Sequence, residues 1–347
     1  TVTVGSDGSG QDVIFYSGTS GDNLTWDSSE ECLTITGTDG AQALKVADGD
    51  LVVVDKIYLS DNDGGEYISG DGTDLTITSG NDIVLALGST GSVYHTGDGG
   101  ALNTIYGYQA GIALANGGNN VLIGNIAGTA LSDGGDNVAI GYQALRRATS
   151  GADENVAIGR ASMEGNFGTA DVNGCVAVGY DTLSGTLTST AVGTIAIGLQ
   201  ACKAITSGAR NIAIGYQTLD ALTQGDDNLA IGHGAMGAMG TTDGNDNNLA
   251  IGSSALSVAG ASGVATGNIG IGVNALKLNE TGDSNVCIGV SAGDALTAAN
   301  SCVAVGTSAL GAVATQDGTT AIGHQALTAL TSGVGNIAVG YQALDIL

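Results

Sequence analysis

The stretch NIAIGYQTL, residues 211–219, decides the reading, because the chain writes nearly the same nine residues as NVAIGYQAL at 137–145 and NIAVGYQAL at 336–344. Self-similarity at a short fixed period marks a repeat architecture. Each copy is anchored on the glycine that closes A-I-G or its equivalent. These are Gly107, Gly124, Gly141, Gly159, Gly179, Gly198, Gly215, Gly232, Gly252, Gly272, Gly289, Gly306, Gly323 and Gly340, spaced by 17 to 20 residues. Four positions before the glycine stands Asn in ten of the fourteen copies, for example Asn137, Asn211 and Asn336. The next three positions are large, Ala, large, as in Val138-Ala139-Ile140 and Ile212-Ala213-Ile214. Four positions after the glycine comes Leu, as at Leu145, Leu219 and Leu344, and then a polar turn such as TSGAD at 149–153.

Side chains alternate across a strand, so the two large residues face one side and the Ala the other. Each copy is thus a short strand, a corner and a second apolar segment, too small to fold alone. Stacked copies bury a continuous core. Long helices are excluded, because glycine recurs too often. The expected fold is all-β: a parallel β-solenoid or β-roll of 17–20-residue coils over 101–347, with insertions in the loop after Leu. Stacked Asn side chains are expected to hydrogen-bond along the column, and the glycine to serve a corner or a close backbone approach. Ten copies keep Ala between the large residues. A face held this small and apolar is expected to pack against the backbone of a second copy of the chain.

Composition agrees with a thin, regular core. The 347 residues include 60 Gly, no Pro, 10 Tyr, 2 Phe and 1 Trp, with glycine well above the usual ~7%. At 43% hydrophobic the chain is too apolar for disorder. The net charge is −26, of which residues 1–100 hold −15 (17 acids, 2 Lys) and the rest −11. That balance keeps long particles apart in solution and excludes nucleic-acid backbones as partners. No apolar run approaches the ~18 residues of a membrane helix, so no membrane insertion is expected. The first residue is Thr, which leaves a preceding segment and secretion open.

The first hundred residues follow another pattern. LTIT occurs at 33–36 and 75–78, and LVVVDKIYL at 51–59 and DIVLALG at 82–88 alternate as strands between Gly, Asp and Asn turns. Small β modules are expected there, joined to the repeats through a Gly-rich, flexible HTGDGGALN at 95–103.

Chemistry is sparse. The only histidines are His95, His233 and His324, and the last two directly follow a repeat glycine, where Tyr stands in five copies. No nucleophile elbow, zinc or phosphate-loop motif occurs, and GNIGIG at 267–272 lies inside a repeat without a βαβ context. The five cysteines are odd in number and unpaired in pattern. Cys175 and Cys302 take the Asn place, Cys287 the Ala place and Cys202 the Leu place, so they are expected to be structural thiols. No enzyme activity and no cofactor are expected. Asp61, Asp63 and Glu66 in SDNDGGEY offer oxygen ligands for diffuse Ca²⁺ without a full calcium-loop spacing. Tyr108, Tyr142, Tyr180, Tyr216 and Tyr341, often followed by Gln, combine an apolar face and a polar edge suited to sugars, or simply mark the repeat. The lengthened loops 165–174, 184–193 and 241–248 are the stronger binding candidates, with Asn166, Phe167, Asp243 and Asn245 as receptor-contacting residues.

Copies such as NVAIGYQAL resemble the repeats of tailed-phage tail-fibre proteins and the AIG repeats in the heads of trimeric autotransporter adhesins. The segment 12–37 is similar to segments of phage structural proteins. The resemblance implies a homotrimer around a long axis: a virion tail fibre or appendage with a host-surface glycan or protein and other virion proteins as partners. The alternative it leaves is an adhesin or filament subunit at a bacterial or archaeal cell surface. A polysaccharide-cleaving solenoid enzyme is a distant third, because it needs a carboxylate cluster on one face.

Overall fold

The computed structural model describes residues 13–16, 18, 23–27, 32–36, 96–97 and 101–345, apart from 169, 242, 262, 313–316 and 331–332. The chain divides after Ala86. In the first part, β1 (Val13–Tyr16), β2 (Asn23–Asp27) and β3 (Cys32–Thr36) form an antiparallel sheet in that order. The first LTIT lies in β3. The second, the expected strands at 51–59 and 82–88, and Asp61, Asp63 and Glu66 lie outside the described residues. In the second part, β4 (Thr96–Gly97) pairs antiparallel with β5 (Ala101–Leu102), within the stretch expected to be flexible.

Fourteen three-residue strands follow, and no helix occurs among the described residues. They are β6 (Thr104–Tyr106), β7 (Val121–Ile123), β8 (Val138–Ile140), β9 (Val156–Ile158), β10 (Val176–Val178), β11 (Ile195–Ile197), β12 (Ile212–Ile214), β13 (Leu229–Ile231), β14 (Leu249–Ile251), β15 (Ile269–Ile271), β16 (Val286–Ile288), β17 (Val303–Val305), β18 (Thr320–Ile322) and β19 (Ile337–Val339). They form one parallel sheet in strict sequence order from β6 to β19. Pairing is in register, Ala213 against Ala196 on one side and Ala230 on the other. At about 4.8 Å per coil the stack is on the order of 60 Å long.

Register is held by an amide at the start of most coils, buried in nearly all of them. The Asn228 backbone N–H donates to Asn211 Oδ1 of the preceding coil at 3.1 Å, and Asn228 Nδ2 donates to the Asn245 carbonyl at 2.8 Å. Asn228 Oδ1 in turn accepts the Asn248 N–H at 3.0 Å. Side-chain bonds along the column also occur, such as Asn228 Nδ2 to Asn211 Oδ1 at 3.1 Å. Where Cys175 replaces Asn, its N–H still donates to Asn155 Oδ1, and its Sγ reaches the Ala191 carbonyl at 3.3 Å. The thiol fills the slot that the amide nitrogen fills elsewhere.

A second column lies two residues ahead of the first and runs the other way. Asp226 Oδ1 accepts the Ala209 N–H, and Asp246 Oδ1 accepts the Asp226 N–H, each at 2.7 Å. Asp283, Asn300 and Asp317 continue it at 2.8 Å. Between the columns, the residue before the Asn has a left-handed backbone in every coil but that of Asn103, as at Asp136, Arg210 and Asp227. So do the second and fourth residues after the repeat glycine, such as Gln217 (φ 50°) and Leu219 (φ 53°). A left-handed residue costs about 1–2 kcal/mol, but here it turns successive amides along the stack. Gln217 donates to Leu199 O in the coil before, and Leu219 to Ala235 O in the coil after. The repeat glycine has no substitute. Gly215 sits at φ 141°, and a Cβ there would lie 2.7 Å from the carbonyl oxygen of Gly232 in the next coil.

The Ala column corrects the expectation drawn from it. Ala139, Ala157, Ala177, Ala213 and Ala304 are fully buried in their own chain, while the flanking Val and Ile face outward. Ala is small because the corner Leu side chains share its space: a Cβ on Gly270, at the Ala place, would lie 3.3 Å from Leu256 Cδ1 of the coil before. Eleven coils combine a small strand centre with Leu, Met or Cys at the corner. The other three invert the pair: Ile105 with Gly111, Leu122 with Gly128, and Cys287 with Gly293. A Cβ on Gly128 would sit 2.9 Å from Leu122 Cδ2, and one on Gly293 2.5 Å from Cys287 Sγ.

Ala139→Leu is therefore expected to overpack the coil and cost about 1–3 kcal/mol. Adding Leu145→Gly should recover most of that loss, a coupling read by a double-mutant cycle in denaturant melts. Asn228→Ala strands the Asn248 N–H and the Asn245 carbonyl and should cost about 2–6 kcal/mol at 1–3 kcal/mol per buried unpaired group. Asn228→Cys should cost less, since Cys175 already occupies this place.

Candidate functional site

Two surface features arise from the coils. The first is the column directly after the repeat glycine, where the parallel register sets side chains one coil apart. Arg160 lies between Tyr142 and Tyr180, its guanidinium 5.8 and 5.3 Å from their ring centroids. Tyr216 stacks on His233 at 5.3 Å and Tyr341 on His324 at 5.2 Å. Tyr108, Tyr142, Tyr180, Tyr216 and Tyr341 are all exposed. Their faces are shared with neighbours in the column where such stacking occurs, so they present edges and hydroxyls more than free ring faces. Beside Tyr180, Asp181 gathers three donors: Lys203 Nζ at 2.7 Å, Ser184 Oγ at 2.7 Å and Gln200 Nε2 at 3.2 Å.

The second feature comes from coil length. The coils that begin at Asn155 and Cys175 have 20 and 19 residues instead of 17, and they are adjacent. The loops that carry the extra residues, 165–168 with 170–174 and 184–193, stand together and border an open cleft of about 560 Å³. Leu187 and Phe167 lie beneath it, buried to 1% and 4% exposure. Exposed Asn166, Asp171, Thr186 and Ser189 form the polar rim. Asn166 Oδ1 accepts the Gly168 N–H at 3.0 Å.

The structure thus brings together Asn166 and the 184–193 loop, read separately from the sequence. It corrects two residues. Phe167 is a core side chain under the loop rather than a surface contact. Asn245 is fully buried: its Nδ2 donates to Gly240 O at 3.2 Å and its Oδ1 accepts the Ala265 N–H at 2.9 Å. It fastens one lengthened loop to the next. Asp243 remains exposed. Asp171, Thr186 and Ser189 were passed over, because a loop of small polar residues carries no periodic signal.

Burial pushes the thiols of Cys175, Cys202, Cys287 and Cys302 up, so they stay protonated near neutral pH and are poor nucleophiles. Among the described residues no group of three or more His, Cys, Asp or Glu is placed to hold a metal ion. No helix among them is long and apolar enough to cross a membrane. No family model matches the chain, and neither a curated protein nor a solved structure shows significant similarity to it.

Partial burial raises the Asp181 carboxyl, but the bonds from Lys203, Ser184 and Gln200 outweigh it and hold the group below the usual carboxylate range. A carboxylate depressed in the fold contributes stability above its unfolded pKa, and loses it as pH falls through the lower folded value. Asp181→Asn should therefore lower the melting temperature at pH 7, and the gap to wild type should close as the pH drops below about 4.

Proposed function

We propose that this chain is a structural fibre or adhesion protein, a stiff virion appendage of the tail-fibre kind, built as a homotrimer and presenting its lengthened loops to a host surface. The observation that carries the reading is the outer face of the β6–β19 sheet. Parallel sheets are almost always covered on both faces. Here the inner face packs on the chain's own Leu and Ala core. The outer face is a strip of Val, Ile and Leu interrupted only by Thr104, Tyr106 and Thr320, with no charged residue along its length. Ile197, Ile214, Ile251, Ile288 and Ile322 each leave 36–39% of their surface exposed. Three residues wide at ~3.3 Å per residue and about 60 Å long, the strip measures about 600 Å². That is at the top of what monomers expose and close to the ~800 Å² per partner of a standard interface. Seating copies on this strip assigns the self-contact to the Val and Ile columns in place of the Ala column.

In this reading the chain is not an enzyme. It acts as a spacer that repeats one binding surface per copy, so that weak contacts add through effective concentration. The same architecture suits a cell-surface adhesin, and gold-labelled antibody on the native source separates the two. Gold on virion tails supports the appendage reading, and gold on cell-bound filaments with bare virions overturns it. In solution, sedimentation should give about three times the chain mass of 33.7 kDa. Ile214→Asp with Ile251→Asp should reduce it to a single chain with unchanged circular dichroism. A wild-type chain that already sediments as one copy would refute the assembly.

A further inference from the structure

We infer that the cleft between the two lengthened loops is a binding site for a neutral, hydroxyl-rich saccharide. The inference rests on the attachment reading above and names the ligand class for it. The volume, about 560 Å³, lies within the ~300–1,000 Å³ of small-molecule sites and admits a short oligosaccharide.

The chemistry of the rim selects the ligand. Thr186 and Ser189 offer hydroxyls that both donate and accept, and neither side chain bonds another described residue. Asp171 offers a carboxylate with no hydrogen bond or ion pair among the described residues. Asn166 offers its amide nitrogen as a donor, and its oxygen, which already accepts the Gly168 N–H, keeps a second lone pair. Acceptors, donors and dual groups ring the cleft, and the apolar side chains beneath them are almost wholly covered, so a ligand must carry many hydroxyls of both senses. Saccharides do this.

Charge narrows the class. Among the described residues no cation lines the cleft and its one formal charge is the Asp171 carboxylate, and the chain carries −26. Sulfated, phosphorylated and sialylated sugars would enter against that field without a partner. The loops are not loose appendages. Thr188 donates its N–H to Thr206 O in the next coil at 2.7 Å, and Leu187 and Phe167 anchor the loop bases in the core. Part of the ordering that binding would require is already in place.

The test is retention of the full chain on immobilised neutral oligosaccharides (cello-, malto- and N-acetylglucosamine series) beside sialylated and sulfated glycans, followed by calorimetry on the best ligand. Neutral sugars should be retained and anionic ones not. Thr186→Val with Ser189→Ala should weaken binding at least tenfold, and Asp171→Asn, a single exposed change, should weaken it on its own. Tyr142→Ala and Tyr216→Ala, in the stacked column, should leave it unchanged. Retention only of anionic glycans, no retention of neutral ones, or equal binding by all loop variants would overturn the inference. Labelled fibres without sugar binding would remove the cleft alone. Variant-sensitive sugar binding with unlabelled fibres would remove the appendage reading alone.

Discussion

A buried amide at the threshold of most coils, ten of the fourteen carrying Asn there, is the constraint on which this molecule depends. A 17-residue coil cannot satisfy its own backbone, because three-residue strands have no partners within the coil. Asn at that position offers one acceptor and a two-proton donor at a place where only the next coil and its own turn can use them. Parallel stacking in exact register then becomes the arrangement that leaves the fewest buried polar groups unpaired. The left-handed residues and the repeat glycine follow from this, since they aim the remaining amides along the stack.

Inside that frame the core is shared in a simple way. Each coil has room for one large side chain, and either the strand centre or the corner supplies it. Ala139 with Leu145 and Leu122 with Gly128 are two solutions in adjacent coils. The core is therefore specified as a volume per coil rather than as a residue per position. Long loops can be added between coils without disturbing it, which is how the cleft arises.

Much of the stack was legible in the sequence, because strand, glycine and Asn recur at fixed offsets and each has one physical role. The direction of the Ala column was not. Period-two alternation separates Ala from Val and Ile but does not say which side is interior. Bulk suggested Val and Ile, whereas the corner Leu had already filled the inside. The inverse pairing of Leu122 with Gly128 and Cys287 with Gly293 held that information. The outer Asp column was legible too, since Asp or Asn stands two residues before the Asn place in seven coils. Acids scattered through turns looked like solvation. Phe167 and Asn245 misled for the opposite reason: in loops, an aromatic ring and an amide look available until burial shows what they hold.

The two polar columns point in opposite directions, and this gives the stack a chemical arrow. The inner Asn oxygen accepts from the coil that follows it, whereas the outer Asp oxygen reaches back to the coil before. During synthesis, which proceeds from the N-terminal side, an arriving coil finds the acceptor for its first amide already in position. The same coil brings the carboxylate that closes the turn of its predecessor. Where both columns are present, an addition thus finishes the previous layer as it begins its own, like a ratchet whose teeth are amides on one side and mostly carboxylates on the other.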